Sequence, residues 1–358
     1  MKKFLSLLLA LVMVLTCLSA MALAFSIPDD NDGTRRTDDA EKPADVTGCD
    51  ESEAAIKLEL GDGRVMYFKE MSSAAFKWAG WQNCDRTFIV LKDQEFKQNL
   101  SACEEWRNVP MTTIDLNGHT ITAKSAIFYS SSFDAHLTIK NGTINFTGKT
   151  GFAKLGSTAN FVTSDRYGWP CSQELIFDNV NVYMSESPYL VTNFQWGTKV
   201  VFKDSNVYTN GAGMINTKTN AADHAKYGFE TWVGKYDCSV IIENSTVGCG
   251  DGALIKADDA IKVSVKDSTL VAASVLDAAT GVLNAEGTKT ENAAFSTTIA
   301  GNAVTGAAVT YATPAPVTPS VPTTGTPDVT TPATGVSVVA LGVMAVVSLA
   351  GAVITKKH

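Results

Sequence analysis

The sequence predicts an all-β chain wound as a parallel β-helix, with a small α/β cap ahead of it. Three observations carry that prediction. The stretch "LTIKNGTI" (137–144) returns as "VIIENSTV" (240–247): two apolar residues alternate, an Asn follows two positions after the second, and an apolar residue closes three later. Aligned on the second apolar residue, Leu116, Ile139, Phe177, Phe202, Ile242 and Val265 fall in register, at steps of 23, 38, 25, 40 and 23 residues. A period of that size marks a solenoid, because one such unit cannot bury its apolar face without neighbours. The alternation has period two, the spacing of a strand and not of a helix.

Each unit divides into three short strands. Apolar residues stand two before the aligned position at Ile114, Leu137, Leu175, Val200, Val240 and Val263, and five after it at Ile121, Ile144, Val182, Val207, Val247 and Leu270. Between them sits Gly118, Asn141, Asn179, Asp204, Asn244 or Asp267. These residue types accept a left-handed backbone and so turn the chain sharply between two strands. A third strand is expected at "SAIFYS", "NFVTS", "YLVTNF", "GMINT" and "ALIKA". An immunoglobulin-type sandwich also has short strands and turns, but nothing in it requires one pattern to recur in register.

Along the chain, residues 1–24 join two Lys, an apolar run and the triplet Ala22-Leu23-Ala24, the form of a secretory signal peptide cut before Phe25. Cys17 offers a lipidation alternative, against which Thr16 is an unfavourable preceding residue. Residues 25–55 are acidic and poor in large apolar side chains, which predicts a disordered arm. Residues 56–110 are expected to hold the cap and the first coil. That cap has a hairpin at "LELGDGRVMYF", a short helical piece, "TFIVLKD", and a helix over "DQEFKQNLSACEEWR" with Phe96, Leu100 and Cys103 on one face. The β-helix is expected over 111–310, ending in the weakly patterned "AAFSTTIAGNAVTGAAVTYA". Residues 311–335 are rich in Pro and Thr, an extended stalk. Val336 to Ile354 is apolar throughout, close to the ~20 residues that span a bilayer. Lys356 and Lys357 follow it and mark the cytoplasmic side.

Two resemblances extend this reading. Thr331-Pro332-Ala333-Thr334-Gly335, followed by an apolar segment and a basic tail, resembles the cell-wall sorting signal of Gram-positive surface proteins. The usual motif opens with Leu or Asn, and here Thr331 stands in that place. The resemblance implies a sortase-type transpeptidase as partner, cutting between Thr334 and Gly335 and passing the chain to the wall, with a plain membrane anchor as the alternative. The expected location is extracellular, on the wall or membrane of a Gram-positive bacterium. "TIDLNGHTIT" and "LTIKNGTINF" resemble the pectate-lyase-like proteins, especially bacterial surface members, over about Phe88 to Thr310. That resemblance implies a right-handed winding.

Chemistry is expected at two insertions, about Gly148–Ser172 and Thr209–Cys238, because long loops on a regular scaffold are where binding resides. They and a nearby loop carry Tyr167, Trp169, Trp196, Tyr227 and Trp232, which either stack on sugar rings or pin the loops to the scaffold. Candidate catalytic groups are Asp251, the pair Asp258-Asp259, and His224 beside Asp223. Glycoside hydrolysis needs two carboxyls facing one groove, and adjacent strand residues point to opposite faces, so Asp258 and Asp259 can share a groove only from a turn. "GDGAL" resembles the Gly-Asp-Asp segment of β-helix polygalacturonases only loosely, and their His-bearing motif is absent. Lyases of this fold use Arg or Lys beside Ca²⁺; no Arg follows Arg166, which leaves Lys256 or Lys262 as the base. No metal or cofactor is implied, and Ca²⁺ has no ligand set in the sequence.

The net charge of −8 and the lack of basic clusters argue against nucleic acid. Cys49, Cys84, Cys103, Cys171, Cys238 and Cys249 remain after the leader, an even count that permits disulfides in an exported chain; Cys238 and Cys249 bracket one coil segment, Cys84 and Cys103 the cap. The expectation is a non-catalytic, adhesin-like or glycan-binding surface protein meeting an extracellular glycan or host surface. The alternative is a polysaccharide-active enzyme, hydrolase before lyase.

Overall fold

The computed structural model describes residues 42, 46–80, 82, 84–100, 111–130, 134–155, 172–192, 198–217, 238–257, 261–278 and 281–314. Among them the chain is all-β, with one 3-10 turn at Glu51–Glu53 and one α-helix. The N-terminal part holds β1 (Ile56–Leu60), β2 (Val65–Phe68), α1 (Ser73–Gly80), β3 (Arg86–Val90) and β4 (Gln94–Phe96). Repeating rungs follow: β5 (Thr112–Asp115), β6 (Thr120–Ala123) and β7 (Phe128–Ser130); then β8 (Asp134–Phe146) and β9 (Ala153–Leu155); then β10 (Ser172–Met184) and β11 (Tyr189–Thr192). The next three are β12 (Lys199–Lys203), β13 (Asn206–Thr209), β14 (Gly213–Thr217); β15 (Cys238–Glu243), β16 (Thr246–Cys249), β17 (Ala253–Ala257); and β18 (Ile261–Lys266), β19 (Ser268–Val271), β20 (Ser274–Ala278). The chain closes with β21 (Gly281–Glu286), β22 (Thr288–Ile299) and β23 (Asn302–Ala312).

Equivalent strands of successive rungs pair in parallel. Ile139 stands opposite Phe177, Phe177 opposite Phe202, Phe202 opposite Ile242 and Ile242 opposite Val265, as the sequence alignment expects. Third strands form a separate six-stranded sheet running β7-β9-β11-β14-β17-β20. Inward residues of both sheets make one apolar core; Phe146, Phe152, Phe177 and Phe202 are fully buried in it, each ring 5.4–5.6 Å from the next.

The corner between first and second strands follows from its residues. Asn117, Asn141, Asn179, Asp204, Asn244 and Asp267 all have φ between 46° and 61°, the left-handed region their short polar side chains tolerate. Immediately after three of them stand buried serines. Ser205 Oγ accepts the Val180 amide at 3.1 Å, Ser245 Oγ accepts that of Ser205 at 3.1 Å, and Ser268 Oγ accepts that of Ser245 at 3.0 Å. Each hydroxyl donates to the carbonyl two residues back at 2.6 Å. The corner amides, which no strand partner reaches, are thereby satisfied inside the stack.

Outside, the last position of each first strand forms a column of alternating charge. Asp115, Lys140, Asp178, Lys203, Glu243, Lys266 and Glu286 stand opposite one another in that order. Ion pairs close at 3.4 Å for Lys140–Asp115, 3.6 Å for Lys203–Asp178 and 3.8 Å for Lys266–Glu286. Exposed pairs of this kind add little stability, but like charges directly opposite would oppose pairing, so the column favours one register.

Four sequence expectations need correction. Ile114, not Leu116, stands opposite Ile139. The first corner contains two left-handed residues, Asn117 and Gly118, and is two residues wider than the others. Leu116 fills that bulge, and a Cβ at Gly142 would collide with it. The third strand of the second rung is Ala153–Leu155, opposite Phe128 and Val191; "NFVTS" lies outside the described residues. The cap helix is Ser73–Gly80, started by Ser72 Oγ accepting the Ala75 amide at 3.0 Å. Gln94–Phe96, expected as helix, is a strand paired with Ile121–Ala123; Phe96 and Leu100 are buried there, and Cys103 lies outside the described residues. Finally, Thr288–Ala312 is an antiparallel hairpin turned at Ala300 and Gly301, both left-handed. Its second strand pairs with Ser268–Val271, and Ile299, Val304 and Ala308 pack on Tyr208 and Val271.

The segments expected as leader (1–24) and stalk (from 315 on) and the apolar 336–354 segment lie outside the described residues. No helix among the described residues is long and apolar enough to cross a membrane.

Candidate functional site

Every connection from a third strand to the next first strand opens on the same edge of the stack. The exits are Ser130, Leu155, Thr192, Thr217, Ala257 and Ala278, and the entries Asp134, Ser172, Lys199, Cys238, Ile261 and Gly281. Both insertions belong to this edge, narrowed to 156–171 and 218–237 by the strands that flank them. Tyr167, Trp169, Trp196, His224, Tyr227, Trp232, Asp258 and Asp259 fall in these connections, outside the described residues, as do Ala22, Ala24 and Phe25 and the 331–335 motif. Asp251 is described. It is exposed at the corner between second and third strands, and its amide donates to the Gly211 carbonyl at 3.2 Å. The connection bearing Asp258 and Asp259 begins at the far end of the five-residue strand Ala253–Ala257, roughly 16 Å away by strand rise.

Beside the connection edge the structure assembles a cluster that the sequence reading missed. His136, Glu174 and Lys199 occupy one outward column on three successive rungs. Glu174 Oε1 receives Lys199 Nζ at 2.7 Å, and Glu174 Oε2 lies 3.5 Å from His136 Nδ1. That Nδ1 is buried and makes no hydrogen bond, since the 3.5 Å approach to Glu174 is poorly directed. The signal was present: each of the three lies three residues before an aligned position (139, 177, 202), so the inward register already placed them in one column.

At the opposite end of the same strands, the left-handed corner opens a shallow groove of about 550 Å³ lined by Asp115, Asn117, Asn141, Thr143, Asn179 and Asn181. Its polar groups are partly engaged with one another. Asp115 Oδ1 accepts the Asn117 amide at 2.9 Å and Asn141 Nδ2 at 3.1 Å; Asn179 Nδ2 donates to Asn141 Oδ1 at 3.1 Å; Asn206 Nδ2 donates to Asn181 Oδ1 at 2.9 Å. Among the described residues, Asn117 Oδ1, Thr143 Oγ1, Asn179 Oδ1 and Asn181 Nδ2 have no partner. The groove therefore offers both donors and acceptors at rung intervals, ~4.8 Å apart.

Cysteine chemistry is muted. Cys49, Cys84, Cys238 and Cys249 are free thiols, so Cys238 and Cys249 are not joined to each other; Cys103 and Cys171 lie outside the described residues. Cys238 and Cys249 sit at inward strand positions, and burial, with the Asp251 carboxylate close by, pushes the Cys249 thiol from 9.0 up to about 11. The folded state favours the neutral thiol, so the stability that Cys249 contributes is present below about pH 9 and lost as pH rises towards 11. Iodoacetamide at pH 8 is expected to leave Cys249 unmodified in the folded chain and to label it after denaturation; equal rates would refute its burial. Among the described residues, no group of three His, Cys, Asp or Glu is placed to hold a metal.

Comparison of the chain with protein-family models, with curated proteins and with solved structures finds no match.

Proposed function

We propose that the chain is a right-handed parallel β-helix displayed on the surface of a Gram-positive cell, where it binds an extracellular glycan without cleaving it. The corner groove carries this reading. Its unengaged amide and hydroxyl groups offer sugar hydroxyls the mixed donors and acceptors they require, and the aromatic-bearing insertions attach to the other edge of the same sheet. In a glycan array, residues 25–330 are expected to bind neutral oligosaccharides. Asn181→Ala combined with Thr143→Ala, both outward, should weaken binding about tenfold with the fold intact, the loss of one or two hydrogen bonds.

The second reading, a polysaccharide-active enzyme, draws on Glu174. Its carboxyl sits between a cation and an imidazole, and Asp134 stands two positions before His136 on β8, opposite Ser172. Release of reducing sugar that disappears in Glu174→Gln would replace the binding reading with this one.

Display on the cell is proposed from the leader with Ala22, Ala24 and Phe25, the Pro/Thr stalk that begins just past the last strand, and the Thr331–Gly335 motif ahead of an apolar segment. The wall-linked chain is expected to end at Thr334 by mass spectrometry after muramidase digestion. A chain ending at His358 would leave membrane anchoring as the mode of attachment.

A further inference from the structure

The two ends of the rung stack are finished differently. At the N-terminal end, the inward column of Thr112, Leu137, Leu175, Val200, Val240 and Val263 begins at Arg86, which α1 and the β1–β2 hairpin cover. At the C-terminal end the same column stops at Leu283, opposite Val263. Leu283 occupies a core position, yet it is 36% exposed, and its outward neighbour Val282 is 49% exposed. Among the described residues, β20 pairs only with β17 and β21 only with β18, so each presents one unpaired edge of amides and carbonyls. The hairpin β22–β23 extends the second-strand sheet through β19 and pairs with neither of them.

An apolar core position beside two open strand edges is a template for another strand. The chain that leaves this end cannot supply it. Residues 315–335 carry Pro316, Pro319, Pro322, Pro327 and Pro332, and a strand interrupted this often lacks the donors a ladder needs. A second copy can. Antiparallel self-pairing centred on Leu283 sets Leu283 opposite its own mate, Ala285 opposite Gly281 and Val282 opposite Asn284. Inward residues then meet inward residues, and the two Glu286 carboxylates stand at opposite ends of the ladder, not face to face. The covered N-terminal end prevents head-to-tail stacking, so the association closes at two copies.

We propose that the C-terminal end of the stack is the interface of a two-fold dimer, built by antiparallel pairing of Gly281–Glu286 with the same strand of a second copy. The inference does not depend on the glycan reading. It is tested by sedimentation equilibrium on the full chain in detergent micelles, with Leu283→Lys compared. A parallel arm oxidises Leu283→Cys under mild conditions beside Val65→Cys, an exposed position at the covered end. Directly opposed residues have Cα atoms ~4.5–5.5 Å apart, within disulfide range. The wild-type chain is expected to dimerise, Leu283→Lys to weaken the dimer about a hundredfold with its circular dichroism unchanged, and the disulfide to join two copies at position 283 but not at 65. If Leu283→Lys fails to fold, the cross-linking arm decides. A wild-type monomer throughout the micromolar range, a dimer indifferent to Leu283→Lys, or equal cross-linking at 65 and 283 would overturn the proposal.

Discussion

Replacing Phe177 by Ala is expected to destabilise the chain by about 3–5 kcal/mol, the cost of emptying a buried aromatic site. Phe177 is fully buried, its ring lies 5.4 Å from Phe202 with planes 7° apart, and Phe152 closes the other side at 5.6 Å. Collapse into the gap is restrained, because the ladders on both sides hold the neighbouring rungs in register. Against the ~5–15 kcal/mol typical of a whole domain, this is a large fraction. Urea denaturation should show a lower midpoint. An unchanged slope means that the stack still unfolds as one unit, and a smaller slope means that it separates at the damaged rung. Ile241→Ala, at a half-buried outward position two rungs further on, serves as the contrast and should cost less. Similar losses at 177 and 241 would contradict the assignment of inward and outward faces.

Arg86→Met is expected to cost about as much, for an electrostatic reason. Arg86 is 3% exposed at an inward position. Its Nε donates to Thr112 Oγ1 at 2.7 Å, and its Nη1 donates to the carbonyls of Ala79 and Gly80 at 3.2 Å. Those carbonyls end α1, where only the Ala79 carbonyl receives a backbone amide, that of Gln82 at 3.1 Å, and a cation is favoured. Met fills much of the volume but removes three buried hydrogen bonds made by a charged group, leaving the Ala79 carbonyl with the Gln82 amide alone and the Gly80 carbonyl without the guanidinium, a loss of about 3–5 kcal/mol. The melting temperature should fall by roughly 6–20 °C for a unit of this size. Amide exchange should accelerate first within Ser73–Gly80. Arg86→Lys should rescue little, since a point charge cannot serve both directions of the fork. Full rescue by Lys would mean that charge alone matters there.

Most of the inward architecture was legible because burial imposes it. Period-two alternation and a left-handed Asn or Asp are local requirements, and from Ile139 onward they give the observed register. Leu116 misled because an apolar residue also fills a bulge, and only Gly142 on the next rung reveals the wider corner. Phe96 and Leu100 fit a helical face and a strand end equally well; pairing with Ile121–Ala123, distant in sequence, decided between them. The hairpin at 288–312 lacked the Asn-Gly signal, because Ala300 takes the first left-handed place. The His136–Glu174–Lys199 column was encoded but unread, since outward positions acquire meaning only once inward ones are paired.

The alternating column from Asp115 to Glu286 also bears on how such a chain can lengthen. Copying one rung in place would set two acids or two lysines side by side at the junction, whereas copying two adjacent rungs would leave the order of signs intact. Growth of the stack by gene duplication is therefore subject to a parity condition: insertions in even numbers are electrostatically neutral, and odd ones need a compensating change of sign.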